Sequence, residues 1–331
     1  MALAYVPITL TNNESTATGS SFQQLLLNID MRAYEPFLNN DLSNVYFSSD
    51  SAGSTVINSW LESGNSSTSA ATTWWVVTSV AANSTTTIYM QVDLTGTSHR
   101  NNTTTGEAPQ LSSTYAEYDN GASVFTNYWN FAGTGLPTRW TGQPTYYTVN
   151  NGLSTTNVPS GSAVTSPSGL NPQTSILDAY AYSSGYEASS NFAQFVDFYA
   201  GASWGASYIY TISPSASSYQ LFDYSGSAWG TGSSLGAGST STYQVFSIWA
   251  TTTASYASIG YATPVSTTSD FGAFTSGTFA STPLLGVTFY YQWLRTRTYP
   301  PSGVMPSVGL GQPTNFPYIN TSTNPVEVMD F

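Results

Sequence analysis

Apolar and polar side chains alternate with a period of two along much of the chain, the spacing of a half-buried β-strand. Val6, Ile8 and Leu10 are separated by Pro7 and Thr9 near the start. Further strands are predicted at residues 74–79, 88–94, 208–212, 243–250, 255–261 and 287–298. The pattern predicts an all-β, antiparallel fold.

Helical signal is sparse. Residues 34–39 are expected to form one turn, and the mixed spacing of residues 189–198 does not favour a helix. Clusters of Gly, Ser and Asn separate the strands, among them the Asn-Asn-Gly of residues 150–152, which predicts a turn.

The chain has 331 residues, which is long for a single core and favours two domains. Residues 96–110 are polar and lack apolar periodicity. We therefore predict a first domain at 1–100, a linker at 101–110 and a second domain at 111–312. The proline-containing tail at 313–331 is expected to be an extended arm that packs on its own domain or on a neighbouring copy.

Charged residues make up only 7% of the chain, whereas aromatic residues make up 15%. Cysteine and lysine are absent and His99 is the single histidine, so disulfides and thiol chemistry are excluded and no cofactor or metal is predicted. The net charge is −12, and five arginines cannot form the basic face of a nucleic-acid binder. With no stretch of 18 apolar residues, membrane insertion is not expected.

Acid destabilises proteins mainly by protonating carboxylates that are paired in the folded state. Few such pairs are possible in this chain, so its stability should depend weakly on pH, as suits an acidic or otherwise harsh exterior. Six possible N-glycosylation sequons stand at Asn13, Asn65, Asn83, Asn101, Asn102 and Asn320. Residues 1–4 show no secretory signal. We expect either a leader removed beforehand or a virion component assembled inside the cell.

Several short sequence segments of the N-terminal half resemble a domain of unknown function found in archaeal surface and secreted proteins. They are residues 7–13 (PITLTNN), 22–24 (FQQ), 42–45 (LSNV), 59–65 (SWLESGN), 88–90 (IYM) and 106–112 (GEAPQLS). Residues 118–122, 129–133 and 293–306 resemble the start and end of the concanavalin-like β-sandwich that often follows it. The resemblance implies two antiparallel β-sandwich domains, jelly-roll or Ig-like and then concanavalin-like, and supplies no catalytic residues.

A weaker resemblance, in composition and in the missing signal peptide, links the chain to the jelly-roll turret and spike proteins of archaeal viruses.

Three acidic positions are candidate sites. Glu62 could be a functional acid beside Trp60, or it could accept turn hydrogen bonds at a strand end. Glu117, Asp119 and Asn120 offer oxygen ligands suited to Ca²⁺, although their spacing does not match the twelve-residue calcium loop and a turn explains them equally well.

Arg295 and Arg297 are expected to share one strand face with Trp293, Phe289 and Tyr291. This face could bind acidic sugars through the guanidinium groups. Alternatively, the arginines pair inside the fold with an acid such as Glu107 or Asp119, which is the interpretation we favour.

Trp204 and Trp229 stand among small residues and are candidate exposed platforms for a sugar ring or a protein partner, with core packing as the alternative. His99 cannot build a zinc site alone and is expected to be a solvated loop residue.

These observations favour a non-enzymatic structural or interaction protein on the surface of an archaeal virion, acting in assembly or host attachment. Alternatives are a cell-surface filament, S-layer or adhesin subunit, or a carbohydrate-binding module. The predicted partners are other copies of the chain, other virion or surface proteins, and host glycans. An acid-active hydrolase is the remaining class; Glu117 and Glu187 could supply its carboxylates, but no motif marks them.

Overall fold

A computed structural model describes residues 3–159, 163–187, 193–201, 208–215, 217–224, 230–267, 274–283 and 286–317. Packing divides the chain into two compact units, Met1–Phe125 with Pro300–Phe331, and Thr126–Tyr299. Nearly all regular structure is antiparallel strand, which confirms the all-β class.

The strands, in chain order, are β1 (Ala4–Asn12), β2 (Phe22–Ile29), β3 (Val45–Ser48), β4 (Ser59–Ser63), β5 (Thr72–Thr78), β6 (Ser84–Val92), β7 (Thr105–Glu107), β8 (Asn127–Trp129), β9 (Tyr147–Val149), β10 (Leu153–Thr156), β11 (Val164–Thr165), β12 (Ser175–Ser183), β13 (Val196–Ala200), β14 (Tyr208–Ser215), β15 (Ser218–Tyr224), β16 (Ser233–Gly236), β17 (Gln244–Ala250), β18 (Ser255–Ile259), β19 (Val265–Thr267), β20 (Ala280–Ser281), β21 (Thr288–Thr298) and β22 (Ser307–Leu310). Helical turns are α1 (Gly121–Val124) and 3-10 helices at Met31–Phe37, Pro144–Tyr146 and Pro301–Gly303.

The first unit packs two four-stranded sheets around one core. One sheet has the order β22-β1-β6-β3 and the other the order β2-β5-β4-β7. In β1 every second residue is buried, and Val6, Ile8 and Leu10 enter the core opposite side chains such as Leu26 and Trp74. The alternation seen in the sequence therefore marks the buried face of this sheet.

The predicted linker is part of the first unit. β7 pairs in parallel with β4, placing Glu107 opposite Leu61. Further along, Phe125 packs edge-on against Trp60 and Trp75, with ring centroids 5.2 and 5.8 Å away. The first compact segment consequently ends at residue 125, whereas the sequence predicted residue 100. The prediction missed β7 because a strand of three residues is too short to show periodicity.

The chain returns to the first unit after residue 299. β22 pairs with β1, Leu310 opposite Ile8, and Phe316 packs on Tyr34 and Phe37. The second unit therefore ends at residue 299 and the chain re-enters the first unit at residue 300, earlier than the predicted boundary at 312. The part of the predicted arm beyond residue 317 lies outside the described residues.

The second unit contains an eight-stranded sheet of order β19-β18-β17-β12-β21-β10-β9, with β8 also pairing β21. A four-stranded sheet, β13-β14-β15-β16, contributes to the same core, and β11 pairs with β20. Core residues include Leu177, Phe246 and Leu294 from the larger sheet and Val196 and Leu221 from the smaller one.

A β-bulge changes the direction of side chains in the middle of β21. The register with β12 places Trp293 opposite Tyr180 but Tyr291 opposite Ala181, so Gln292 is the extra residue. Phe289 and Tyr291 consequently point into the core, whereas Trp293 lies on the opposite face of the sheet. The prediction that Trp293, Arg295 and Arg297 share a face with Phe289 and Tyr291 is wrong for this reason.

Local predictions fare better. The expected turn at 150–152 joins β9 to β10, and Asn151 and Gly152 both have positive φ, which these two residue types tolerate well. The single turn expected at 34–39 is the 3-10 helix Met31–Phe37. Within 189–198, residues 196–198 belong to β13, while residues 188–192 lie outside the described part.

Candidate functional site

One face of the larger sheet in the second unit carries an unusual set of side chains. In β12 the small residues Ala179 and Ala181 face the core, so Asp178, Tyr180 and Tyr182 lie on the opposite face. On one side, Val245 and Ser247 of β17, and Tyr243 just before that strand, lie on the same face. On the other side, β21 contributes Tyr290, Trp293, Arg295 and Arg297.

Four half-buried tyrosines form what we call the aromatic face: Tyr180, Tyr182, Tyr243 and Tyr290. The rings of Tyr182 and Tyr290 are stacked, with centroids 4.6 Å apart, and Tyr243 lies 4.9 Å from Tyr182 and 5.2 Å from Tyr180. Fully buried Trp293 stacks on Tyr180 at 5.5 Å. The cross-strand registry of the sheet therefore fixes these rings as one cluster.

A buried ion cluster lies next to the aromatic face. Arg295 Nε and Arg297 Nε both donate to Asp178 Oδ2, at 3.0 and 2.9 Å, and Ser247 Oγ donates to Asp178 Oδ1 at 2.7 Å. Arg295 also donates to the Tyr261 hydroxyl at 2.6 Å. The side chains of Arg295 and Asp178 are fully buried. The acid that pairs with the two arginines is thus Asp178, and not the predicted Glu107 or Asp119.

The surroundings favour the charged form of Asp178 and the neutral forms of Tyr182 and Tyr243. Burial alone would raise the pKa of Asp178, but the charges of Arg297 and Arg295 outweigh it and the pKa is lowered. Burial raises the pKa values of the Tyr182 and Tyr243 hydroxyls, which therefore remain neutral. Tyr182 and Tyr243 thus present uncharged hydroxyls beside a buried ion cluster whose carboxylate favours its charged form.

Sequence reasoning missed Asp178 and the aromatic face. A signal was present, since the segment Asp178-Ala179-Tyr180-Ala181-Tyr182 alternates small with large residues, as a strand with one core face requires. The cross-strand partners could not be read from the sequence, because they depend on the bulge at Gln292.

Two other acids of the second unit are held by hydrogen bonds. Asp197 accepts from Gln194 Nε2 at 2.8 Å and from the Ala280 N–H at 2.6 Å. Asp223 accepts from the hydroxyls of Ser255 and Thr267. With Asp178 and Glu187, these are the acids of the unit that the structure describes, and all four are buried.

The acidic candidates of the first unit have internal partners. Glu62 is buried and accepts from the Trp75 indole at 2.8 Å. Asp119 accepts from the Trp60 indole at 3.0 Å and from the Gly121 N–H, and the Asn120 amide donates to the Ser59 carbonyl. In the described part of the chain, no group of three or more His, Cys, Asp or Glu side chains is placed to hold a metal ion.

Glu107 also has partners of its own, with Ser112 Oγ at 2.6 Å and Arg100 Nη1 at 3.0 Å. Glu117, which we considered as half of a hydrolase pair, belongs to the first unit, whereas Glu187 belongs to the second. The described structure therefore does not assemble that pair within one unit.

His99 is docked and not freely solvated, which corrects the prediction. Its Nε2 lies 3.0 Å from Asp93 Oδ2, and its ring packs on Tyr46 with centroids 4.3 Å apart. The remaining predicted platforms, Trp204 and Trp229, and the sequon at Asn320 lie outside the described residues.

Comparison with known proteins finds similarity to a viral protein in sequence and to several solved structures in fold. No family model matches the chain, so the resemblance to an archaeal domain of unknown function is unsupported. Uncharacterized protein 562 of Sulfolobus islandicus rod-shaped virus 1 is 38% identical over 128 residues. That match spans 37% of this chain and only 21% of the viral protein, so the chain covers about a fifth of its relative.

Solved structures similar to part of the chain include a β-glucanase, a laminarinase and a transglycosylase. A Bacillus licheniformis β-glucanase matches 52% of this chain and 97% of its own, at 10% identity and a TM-score of 0.36. The catalytic domain of a Thermotoga petrophila laminarinase matches 52% and 96%, at 10% identity and a TM-score of 0.38. A Crh5 transglycosylase in complex with NAG matches 55% and 86%, at 13% identity and a TM-score of 0.37.

These comparisons overturn one prediction from the sequence. We expected a non-enzymatic virion surface protein, but the solved structures of similar fold are glycosidases and a transglycosylase. With identities of 10–13% and TM-scores of 0.36–0.38, this likeness assigns no reaction to the chain. No helix in the described chain is long and apolar enough to cross a membrane.

Proposed function

We propose that the second unit is a carbohydrate-active domain that holds a glycan chain against the aromatic face. The observation that carries this proposal is the cluster of half-buried Tyr180, Tyr182, Tyr243 and Tyr290, in which each ring centroid lies 4.6–5.2 Å from that of a neighbouring tyrosine. Tyrosine combines a flat apolar ring with a hydroxyl. Such a face can therefore contact the apolar side of a sugar ring and hydrogen-bond its hydroxyls.

We further propose that the protein is virus-encoded and that its glycan belongs to the surface of the host cell. Support comes from the relative in a rod-shaped virus of Sulfolobus islandicus. The very low content of charged residues is compatible with an acidic exterior, since few ion pairs can be lost by protonation. That the chain has other copies of itself or other virion or surface proteins as partners stays a prediction.

The test is a binding assay on the full chain with immobilised polysaccharides, comparing wild type with Tyr182→Ala and Tyr290→Ala. Removing either ring should weaken binding about fivefold, the order of magnitude of one lost aromatic contact. Tyr89→Ala is the matched control, because Tyr89 is also half-buried and packs on another tyrosine, Tyr5, at 5.4 Å in the first unit.

Unchanged binding in both variants, or an equal loss in the control, would exclude the aromatic face as the glycan site. Release of reducing sugar from the bound polysaccharide is measured in the same preparation. Cleavage requires two carboxyl groups about 5–9.5 Å apart at the sugar, so this measurement separates a cleaving domain from a holding one.

A further inference from the structure

We infer that the aromatic face selects uncharged glycans and rejects uronic-acid or sulfated ones; this inference rests on the proposed function. It names the substrate class of that site. The reason lies in where the charges of the larger sheet are placed.

The larger sheet is almost free of charge. Its eight strands carry only three charged residues, Asp178, Arg295 and Arg297. All three meet in the buried ion cluster, through the two Nε–Oδ2 bonds. The tyrosines, Gln292 and Val245 that surround the aromatic face contribute no charge.

The ion cluster is not a receptor for an anionic sugar. Two guanidinium groups share one carboxylate, so the cluster has an excess positive charge that could attract an anion. However, the side chain of Arg295 is fully buried and that of Arg297 is only 8% exposed. Arg295 is further enclosed by the Trp293 ring, 4.5 Å from its guanidinium carbon, and by the Tyr261 hydroxyl. A carboxylate on a glycan would have to displace these contacts.

The whole chain also disfavours polyanions. Its net charge of −12 repels an anionic polymer, and this repulsion acts over about 10 Å at moderate salt. A neutral glycan experiences none of it. The raised pKa values of Tyr182 and Tyr243 keep these two hydroxyls protonated, and they can donate to, or accept from, the hydroxyls of a neutral sugar.

The experiment compares neutral polysaccharides (β-glucan, xylan and mannan) with anionic ones (polygalacturonate and a sulfated galactan) on the full chain. Each is titrated at about 20 mM and about 500 mM salt, where charge effects are nearly unscreened and strongly screened. We expect at least one neutral polysaccharide to bind, with less than about a twofold change between the two salt concentrations. Tyr182→Ala should reduce that binding about fivefold, and Tyr89→Ala should leave it unchanged.

The outcomes separate the two proposals. Tighter binding of an anionic polysaccharide that weakens with salt, and that is still lost in Tyr182→Ala, overturns the inference while the proposed function stands. Absence of binding to every polysaccharide overturns the proposed function, and the inference with it. Binding to neutral polysaccharides that survives Tyr182→Ala and Tyr290→Ala likewise overturns both, because the glycan would then bind outside the aromatic face.

Discussion

The acids of the second unit that the structure describes are all buried. Asp178 is held by two arginines and a serine, and Asp223 by two hydroxyls. Burying a charge without a partner is costly, so each acid must be matched locally. Such matches involve residues far apart in the sequence, for instance Asp178 and Arg297, and cannot be assigned from composition or spacing.

Asp178→Asn should lower the free energy of unfolding by about 3–5 kcal/mol, because it leaves two buried guanidinium groups without their carboxylate. Urea unfolding followed by circular dichroism measures the change. Glu14→Gln makes the same chemical replacement at a half-buried position of the first unit and is the control. A loss below about 1 kcal/mol for Asp178→Asn would show that the ion cluster is not a structural pair.

Asp197 should make the protein more stable in acid. Burial raises the pKa of Asp197 well above its ordinary value of 3.8, although the Ala280 N–H and Gln194 oppose the shift. The folded state therefore binds a proton that the unfolded state releases, and stability falls as pH rises from about 4 towards the folded pKa. Asp178 has the opposite sign, since its lowered pKa means that its contribution is lost as pH falls below about 4.

Thermal unfolding of Asp197→Asn between about pH 4 and about pH 7 tests this sign. The variant should show a flatter dependence than wild type over this range, with the largest gain relative to wild type at the higher pH. A wild-type stability that increases across the same range, and that does so equally in the variant, would contradict the assignment.

The adjacent sequons at Asn101 and Asn102 should differ in glycosylation. Asn101 Nδ2 donates to the His99 carbonyl at 2.8 Å and its Oδ1 accepts from the Thr103 and Thr104 N–H groups, so its side chain is already engaged. Asn102 is exposed. Peptide mapping of protein from the native host should find sugar on Asn102 and none on Asn101; the reverse pattern would show that this turn opens before modification.

At the scale of elements, periodicity located several strands but does not reveal which strands pair. β1, β6, β17, β18 and β21 lie where alternation predicted them, because each has one buried face. The bulge at Gln292 was not predictable, since one extra residue leaves no mark on composition yet reverses every later side chain. β7 was missed for a different reason, because both its neighbours and its own three residues are polar or small.

The segment after β22 should stabilise the first unit by covering its core. Phe316→Ala removes a ring that packs at 5.4 Å on both Tyr34 and Phe37, and should cost about 1–2 kcal/mol, less than a fully buried phenylalanine. Val304→Ala, at a position 50% exposed, is the control and should change stability by less than about 0.5 kcal/mol. Equal urea midpoints for the two variants would indicate that residues 311–317 do not dock.

At the scale of the whole molecule, the sequence predicted the fold class and a chemistry poor in reactive groups. It did not locate the aromatic face, because its residues come from β12, from β21 and from the position before β17, which only the folded sheet brings together. The aromatic platforms predicted at Trp204 and Trp229 lie outside the described residues and stay predictions. The exclusion of enzymatic activity came from missing motifs, and a missing motif does not by itself exclude a reaction.

The central claim is that glycan binds on the aromatic face, and hydroxyl-radical footprinting of the full chain with its best polysaccharide tests it most directly. We predict that the polysaccharide protects Tyr180, Tyr182, Tyr243 and Tyr290 from oxidation and leaves Tyr5 and Tyr89 of the first unit unchanged. Bound polysaccharide with undiminished oxidation of all four tyrosines would contradict the claim.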